Sequence, residues 1–187
     1  MPMMRPVRLL VPLFVIIGMF ANLSGSALGA NAPDDAVPNP ARQPSFHRTQ
    51  SSGYVLGSIT IPAIGLDETI RSGVSLDVID QGVAHWAGTV GPGEDGNLVL
   101  AGHRTTHSKP FADLDRLGID DLIYVTDGHG FAVMYKVAET SIVEPQDLWI
   151  TYDRAKPMLT LFACHPKGSS RHRIVVTADL VAGRRIS

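Results

Sequence analysis

The chain has 187 residues, 16 Lys and Arg against 18 Asp and Glu, a formal net charge of −2, and one cysteine. A near-neutral balance, with no basic stretch interleaved with aromatics, argues against nucleic acid as a partner. A single cysteine excludes an internal disulfide, so the fold must rest on its core.

The N-terminus reads as a targeting segment. Arg5 and Arg8 precede an apolar stretch over 9–23, interrupted by Pro12, Gly18 and Asn22. That stretch is shorter than the roughly 20 residues a full span needs, and the small residues of 24–30 make up the difference. Ala27-Leu28-Gly29 also fits a small-x-small cleavage site. Residues 1–30 are therefore expected to be a signal peptide or an N-terminal membrane anchor. Positive charge on the N-terminal flank predicts the remainder outside the cell membrane, or secreted if the leader is cleaved. Residues 31–52 carry Pro33, Pro38, Pro40 and Pro44 among polar residues, with no hydrophobic periodicity, and read as a flexible Pro-rich linker.

Residues 53–187 form one domain of ordinary size. A strand is predicted over 57–64, near a sheet edge because of Pro62, and a second over 66–70. Residues 75–86 are expected to be a helix presenting Leu76, Ile79, Val83 and Trp86, with Ser75 as N-cap. A buried strand follows over 98–101, then a short helix from Lys109-Pro110-Phe111 carrying Leu114 and Leu117. Strands over 122–126 and 131–142 are joined by Asp127-Gly128-His129-Gly130, a hairpin turn. Strands over 158–163 and 173–181 close the chain. Many short strands with Gly/Pro turns favour a mainly β fold, a closed barrel or a sandwich, with short helices inserted.

Gly91-Pro92-Gly93-Glu94-Asp95-Gly96 fits G-x-G-x-x-G on paper. It lacks the preceding strand and following helix of a dinucleotide site, and its two acids would repel phosphate, so it reads as a turn. No C-x-x-C or H-E-x-x-H occurs, so metal has no sequence signature and none is expected; His103 and His107, four apart, fall in a loop. No G-x-S-x-G elbow marks a serine hydrolase. Cys164, in Thr160-Leu161-Phe162-Ala163-Cys164-His165-Pro166, stands at the end of an apolar run beside a polar loop. A buried structural cysteine is the bland alternative. A reactive thiol needs a nearby imidazolium or guanidinium to lower its pKa, and His103 and Arg173, each at the end of an apolar run, are of the required types.

These residues carry a family resemblance. Thr160-Leu161-Phe162-Ala163-Cys164 resembles the T-L-x-T-C signature of sortases, the cysteine transpeptidases of Gram-positive surfaces. Arg173-Ile174-Val175-Val176 looks like their arginine strand, and Asn97-Leu98-Val99-Leu100-Ala101-Gly102-His103 like their histidine strand. Cys164-His165-Pro166-Lys167-Gly168-Ser169 and Ala101-Gly102-His103-Arg104-Thr105-Thr106 are most similar to class E sortases of actinobacteria. Ala163 departs from the usual Thr, which raises a question about sub-site preference. Arg171, on the same face by alternation, is an understudy for Arg173.

The resemblance implies a closed, eight-stranded, largely antiparallel barrel over 53–187 and a site of His103, Cys164 and Arg173, with no cofactor. It implies a transpeptidase that cleaves a C-terminal sorting signal, of Leu-Ala-x-Thr-Gly or Leu-Pro-x-Thr-Gly type, between Thr and Gly. Its partners would be proteins bearing that signal and a peptidoglycan precursor (lipid II) whose amine accepts the acyl group, with the membrane reached through the N-terminal segment. A thiolate coexisting with an imidazolium implies a bell-shaped rate profile. The alternatives are a thiol hydrolase, a pilin-polymerising sortase using a protein lysine, and a catalytically idle barrel that binds peptide or metal.

Overall fold

A computed structural model describes residues 53–185 and the two-residue strand Ala36–Val37. The expected leader, and the linker apart from that strand, lie outside the described residues.

Eight strands form the barrel: β1 (Val55–Ile61), β2 (Leu66–Ser72), β3 (Val83–His85), β4 (Asn97–Ala101), β5 (Leu122–Asp127), β6 (Phe131–Val143), β7 (Met158–His165) and β8 (His172–Arg185). They close into a barrel in the order β8-β6-β5-β1-β2-β3-β4-β7, with β7 returning to β8. Pairing is antiparallel except for β2 with β3 and β4 with β7. The barrel expected from the resemblance is thus present. Asp127 caps the β5–β6 hairpin as anticipated, its Oδ1 accepting the amides of His129 and Phe131 at 2.8 and 2.7 Å.

Three local expectations are corrected. Pro62 marks no edge: β1 ends at Ile61, Pro62–Ile64 is a 3-10 turn, and closure leaves the barrel no edge strand. The helix predicted over 75–86 is one turn, α1 (Leu76–Ile79), in which Val78 is buried and Leu76 is 73% exposed. Gly82, at φ 146, turns the chain out of it, and Val83 enters a strand because β2 needs a parallel neighbour reached by a crossover. The segment after Pro110 is a turn and a 3-10 helix (Leu114–Arg116) rather than an α-helix, although Phe111, Leu114 and Leu117 are buried as expected. Ala36–Val37, within the expected linker, pairs antiparallel with Asp153–Arg154.

Alternation sorts the strand residues into two faces. Leu98 and Leu100 of β4, Leu159, Leu161 and Ala163 of β7, and Ile174, Val176 and Ala178 of β8 fill the barrel core. On the outer face, Val175 packs with Val143 and Ile150, and Trp149 and Phe162 lie against them. Ala163 therefore points into the core, so the Thr missing there alters interior packing and leaves the outer face as it is.

Asn97 ties the outer face to the β6–β7 connection. Its Nδ2 donates to the carbonyls of Ile150 and Tyr152, both at 3.0 Å, and its Oδ1 accepts from Thr160 Oγ1 at 2.8 Å. Asn97→Ala strands these partners in a buried place, and each unsatisfied buried group costs about 1–3 kcal/mol. The variant is expected to lose about 2–3 kcal/mol, read as a lower urea midpoint at unchanged slope; an unchanged midpoint would contradict this role.

Candidate active site

Strand register pairs two of the three sequence-predicted residues on one face and brings the strand that leads to the third alongside them. Arg173 of β8 is the direct cross-strand partner of Cys164 of β7. Both alternate away from core residues, Cys164 in step with Phe162 and Arg173 in step with Val175, so both stand on the outer face. Parallel to β7 on its other side, β4 sets Ala101 opposite Phe162. The Gly102 amide extends that pairing to the Phe162 carbonyl at 3.3 Å. His103 follows directly, two residues past the end of β4, as Cys164 stands two residues past Phe162. A thiol, an imidazole and a guanidinium thus line one end of three adjacent strands, β4-β7-β8. Cys164 is half-buried.

Gly102 is required at this point. A Cβ there would meet Phe111 Cδ2 at 2.8 Å and Pro110 Cγ at 2.9 Å. The chain after β4 folds back over it, with the Phe111 amide donating to the His103 carbonyl at 3.1 Å. His103 is fixed at its own carbonyl and at its ring. Its Nε2 lies 2.7 Å from Asp80 Oδ1, on the residue that ends α1. A carboxylate only accepts, so Nε2 carries the proton in this contact and the tautomer is set by Asp80. His107 Nδ1 lies 3.3 Å from the same oxygen, and the two imidazoles stack at 4.9 Å.

The Arg173 Nη1 donates to the carbonyls of Ser170 and His172 at 3.0 and 2.9 Å. These bonds fold the guanidinium toward the β7–β8 loop beside Cys164. The other nitrogens of its fork make no hydrogen bond among the described residues. Arg171 does not share this position: it lies exposed in the loop before β8 begins.

Arg104 anchors His165, the residue after Cys164, and was missed by sequence reasoning. It is 3% exposed, with Nη2 2.8 Å from Asp115 Oδ1 and Nη1 2.6 Å from His165 Nδ1. Because an arginine only donates, His165 accepts at Nδ1 and is neutral. Desolvation, and then the Arg104 charge, hold His165 below the ordinary histidine range. The residue that follows the candidate nucleophile is thereby tied to the β4–β5 connection. Lys167 in the same loop pairs with Asp113 at 2.9 Å. The only available signal was a charged residue directly after the histidine strand. Asp80 had no signal at all, since the helix expected there presented other residues.

A cavity of about 360 Å³ lies elsewhere, lined by Leu56, Ile70, His85, Pro92 and Leu98 among others. None of His103, Cys164 or Arg173 borders it.

A sortase domain model matches residues 59–181, well over half of the chain. The chain belongs to the sortase family. It is 30% identical over 116 residues to Sortase D of Bacillus subtilis, covering 62% of this chain and 57% of that protein. It is 30% identical over 181 residues to Sortase SrtE1 of Streptomyces coelicolor, covering 88% of this chain and 50% of that protein. This sortase thus spans about half the length of the curated relatives it matches. Among solved structures it is similar to Sortase E1 from Streptomyces coelicolor with a tripeptide in the active site, at a TM-score of 0.67 and 26% identity, covering 73% of this chain and 94% of that one. The family, and the likeness to class E members seen in the motifs, are therefore borne out.

Proposed function

We propose that this sortase is a cysteine transpeptidase that cleaves a C-terminal sorting signal between Thr and Gly and passes the acyl group to an amine. The observation that carries the reading is the register pairing of Cys164 with Arg173, with His103 two residues beyond the end of β4, the strand that runs parallel to the Cys164 strand. In the first half-reaction the Cys164 thiolate adds to the Thr carbonyl carbon. Arg173 donates to the developing oxyanion, where a fixed charged donor is most effective. His103, as imidazolium, gives its proton to the departing Gly amine, leaving an acyl-thioester on Sγ and a neutral imidazole. In the second half-reaction His103 takes a proton from the incoming amine as that nitrogen adds to the thioester, and the thiolate leaves. Protons balance over the cycle, and Asp80 holds the imidazole in place through both halves.

The acceptor we favour is the amine of a peptidoglycan precursor, lipid II. The N-terminal basic and apolar segment supports a single anchor with the domain on the extracellular face, where such an acceptor is found. Among the described residues no helix is long and apolar enough to cross a membrane, and the segment itself lies outside them.

The test is the purified chain with quenched Leu-Ala-x-Thr-Gly and Leu-Pro-x-Thr-Gly peptides, with and without an added amine, and products read by mass spectrometry. The expected product ends in a Thr–amine adduct. Threonine acid alone, in the presence of ample amine, would establish a thiol hydrolase instead. Absence of cleavage with slow alkylation of Cys164 would establish an idle barrel.

A further inference from the structure

We propose that Asp80, His103 and His107 form a binding site for a divalent transition-metal ion, of which Zn²⁺ is the representative, and that the bound ion shuts the enzyme off by taking His103. The second half of this inference rests on the proposed role of His103; the first half does not.

The three donors come from two places in the fold. Asp80 ends the one-turn helix of the β2–β3 crossover, while His103 and His107 follow β4. One ligand atom from each lies within 4.8 Å of the other two. The rings of His103 and His107 stack with their planes 28° apart, so both present a nitrogen to Asp80 Oδ1 from the same side.

Distances separate a metal site from a simple pair of hydrogen bonds. A charge-assisted N–H···O bond settles at about 2.7–2.9 Å. The His103 contact, at 2.7 Å, has that length, but the His107 contact, at 3.3 Å, does not. Tetrahedral zinc with ligands at about 2.0–2.1 Å sets its donors about 3.3–3.4 Å apart. Measured to Asp80 Oδ1, His107 already stands at that spacing and His103 is about half an ångström inside it, while the two histidine nitrogens lie within 4.8 Å of each other.

Two imidazoles and one carboxylate make a donor set that suits zinc, copper or nickel over magnesium or calcium. Three protein ligands leave a fourth position to water. An entry path is open, since the His107 side chain is 49% exposed and that of Asp80 35%. The backbone contributes as well. His107 sits at φ 54, in the left-handed region a non-glycine residue seldom occupies. That turn directs its ring back over His103 instead of out along the loop.

Metal coordination at His103 Nε2 replaces the proton there and fixes the ring to the ion. His103 then can neither protonate a leaving amine nor relieve an incoming one. Removing the ion restores it, so the site is a reversible brake set by free metal.

The experiment titrates the full-length chain with Zn²⁺ alone, competing against a chromophoric chelator, and repeats it with Co²⁺ to read the ligand field. One ion per chain is expected, with a four-coordinate cobalt spectrum and no thiolate charge-transfer band. Losing an outer-shell partner already costs roughly 10–100-fold in metal affinity, so losing a direct ligand in His107→Ala should cost at least that. Asp80→Asn should weaken binding too, and Cys164→Ser should leave it unchanged. Zn²⁺ should suppress peptide cleavage by the native chain, and should leave His107→Ala at that variant's own metal-free rate. No stoichiometric binding, or binding unaffected by His107→Ala, overturns the site, as does loss of the ion in Cys164→Ser. Stoichiometric binding that leaves cleavage untouched would uphold the site and overturn the role of His103 on which the brake depends.

Discussion

Cys164→Ala is expected to remove peptide cleavage by at least about 10⁴-fold, in the range seen when the nucleophile of a cooperating catalytic set is deleted. Sγ is the atom that becomes acylated, and no other cysteine exists in the chain to replace it. The substitution should be structurally mild. Cys164 stands on the outer face of β7, half-buried, while the core side of that strand is held by Leu159, Leu161 and Ala163. The measurement is single-turnover cleavage together with mass detection of the acyl adduct. The native chain should gain the mass of the peptide up to Thr, and the variant should gain nothing while unfolding at the native urea midpoint. Residual cleavage within tenfold of native would remove Cys164 from the reaction and with it the thioester.

His103→Ala is expected to lower cleavage by about 10²–10⁴-fold, the usual contribution of a positioned acid–base group. The loss should differ in kind from that of Cys164→Ala. Without a proton donor the Gly amine is a poor leaving group, so the tetrahedral adduct reverts and thioester fails to accumulate. Cys164 remains in place and still reacts with an alkylating agent. A small primary amine or imidazole in the buffer supplies part of the missing proton transfer, so partial rescue of the first half-reaction should be seen in His103→Ala and not in Cys164→Ala. A His103→Ala variant as active as native would assign the acid–base role elsewhere. His165 is poorly suited to take it, because its Nδ1 is occupied by Arg104 at 2.6 Å.

Much of the barrel was legible because β-strands write their burial into alternate positions. The runs at 98–101, 122–126, 131–142 and 158–163 were each found nearly in place, the first because it is continuously apolar and buried on both faces, the others because alternate residues face a single core. The segment over 75–86 failed for a physical reason. Leu76, Ile79, Val83 and Trp86 satisfy helical spacing, but a three-residue strand is too short to show a period of its own, and Val83 is fixed by its pairing with Ile70. Ala163 was misjudged for a related reason. Beside the nucleophile in sequence, it faces the opposite side of the sheet in space.

By itself the sequence determined the kinds of chemistry available: one thiol, at a strand end, with a histidine and an arginine at the ends of two other strands. It also specified that the strand before the histidine would be buried, because its apolar run is continuous. Only the tertiary structure decided that β4 runs parallel to β7 and that β8 pairs Arg173 with Cys164, since register depends on which hydrophobic faces meet across the closed barrel. The same holds for Asp80 beside His103 and Arg104 beside His165. Those contacts join residues whose sequence separations of 23 and 61 carry no local signal, and a polar pair of this kind is specified by the folded backbone that brings both ends to one place.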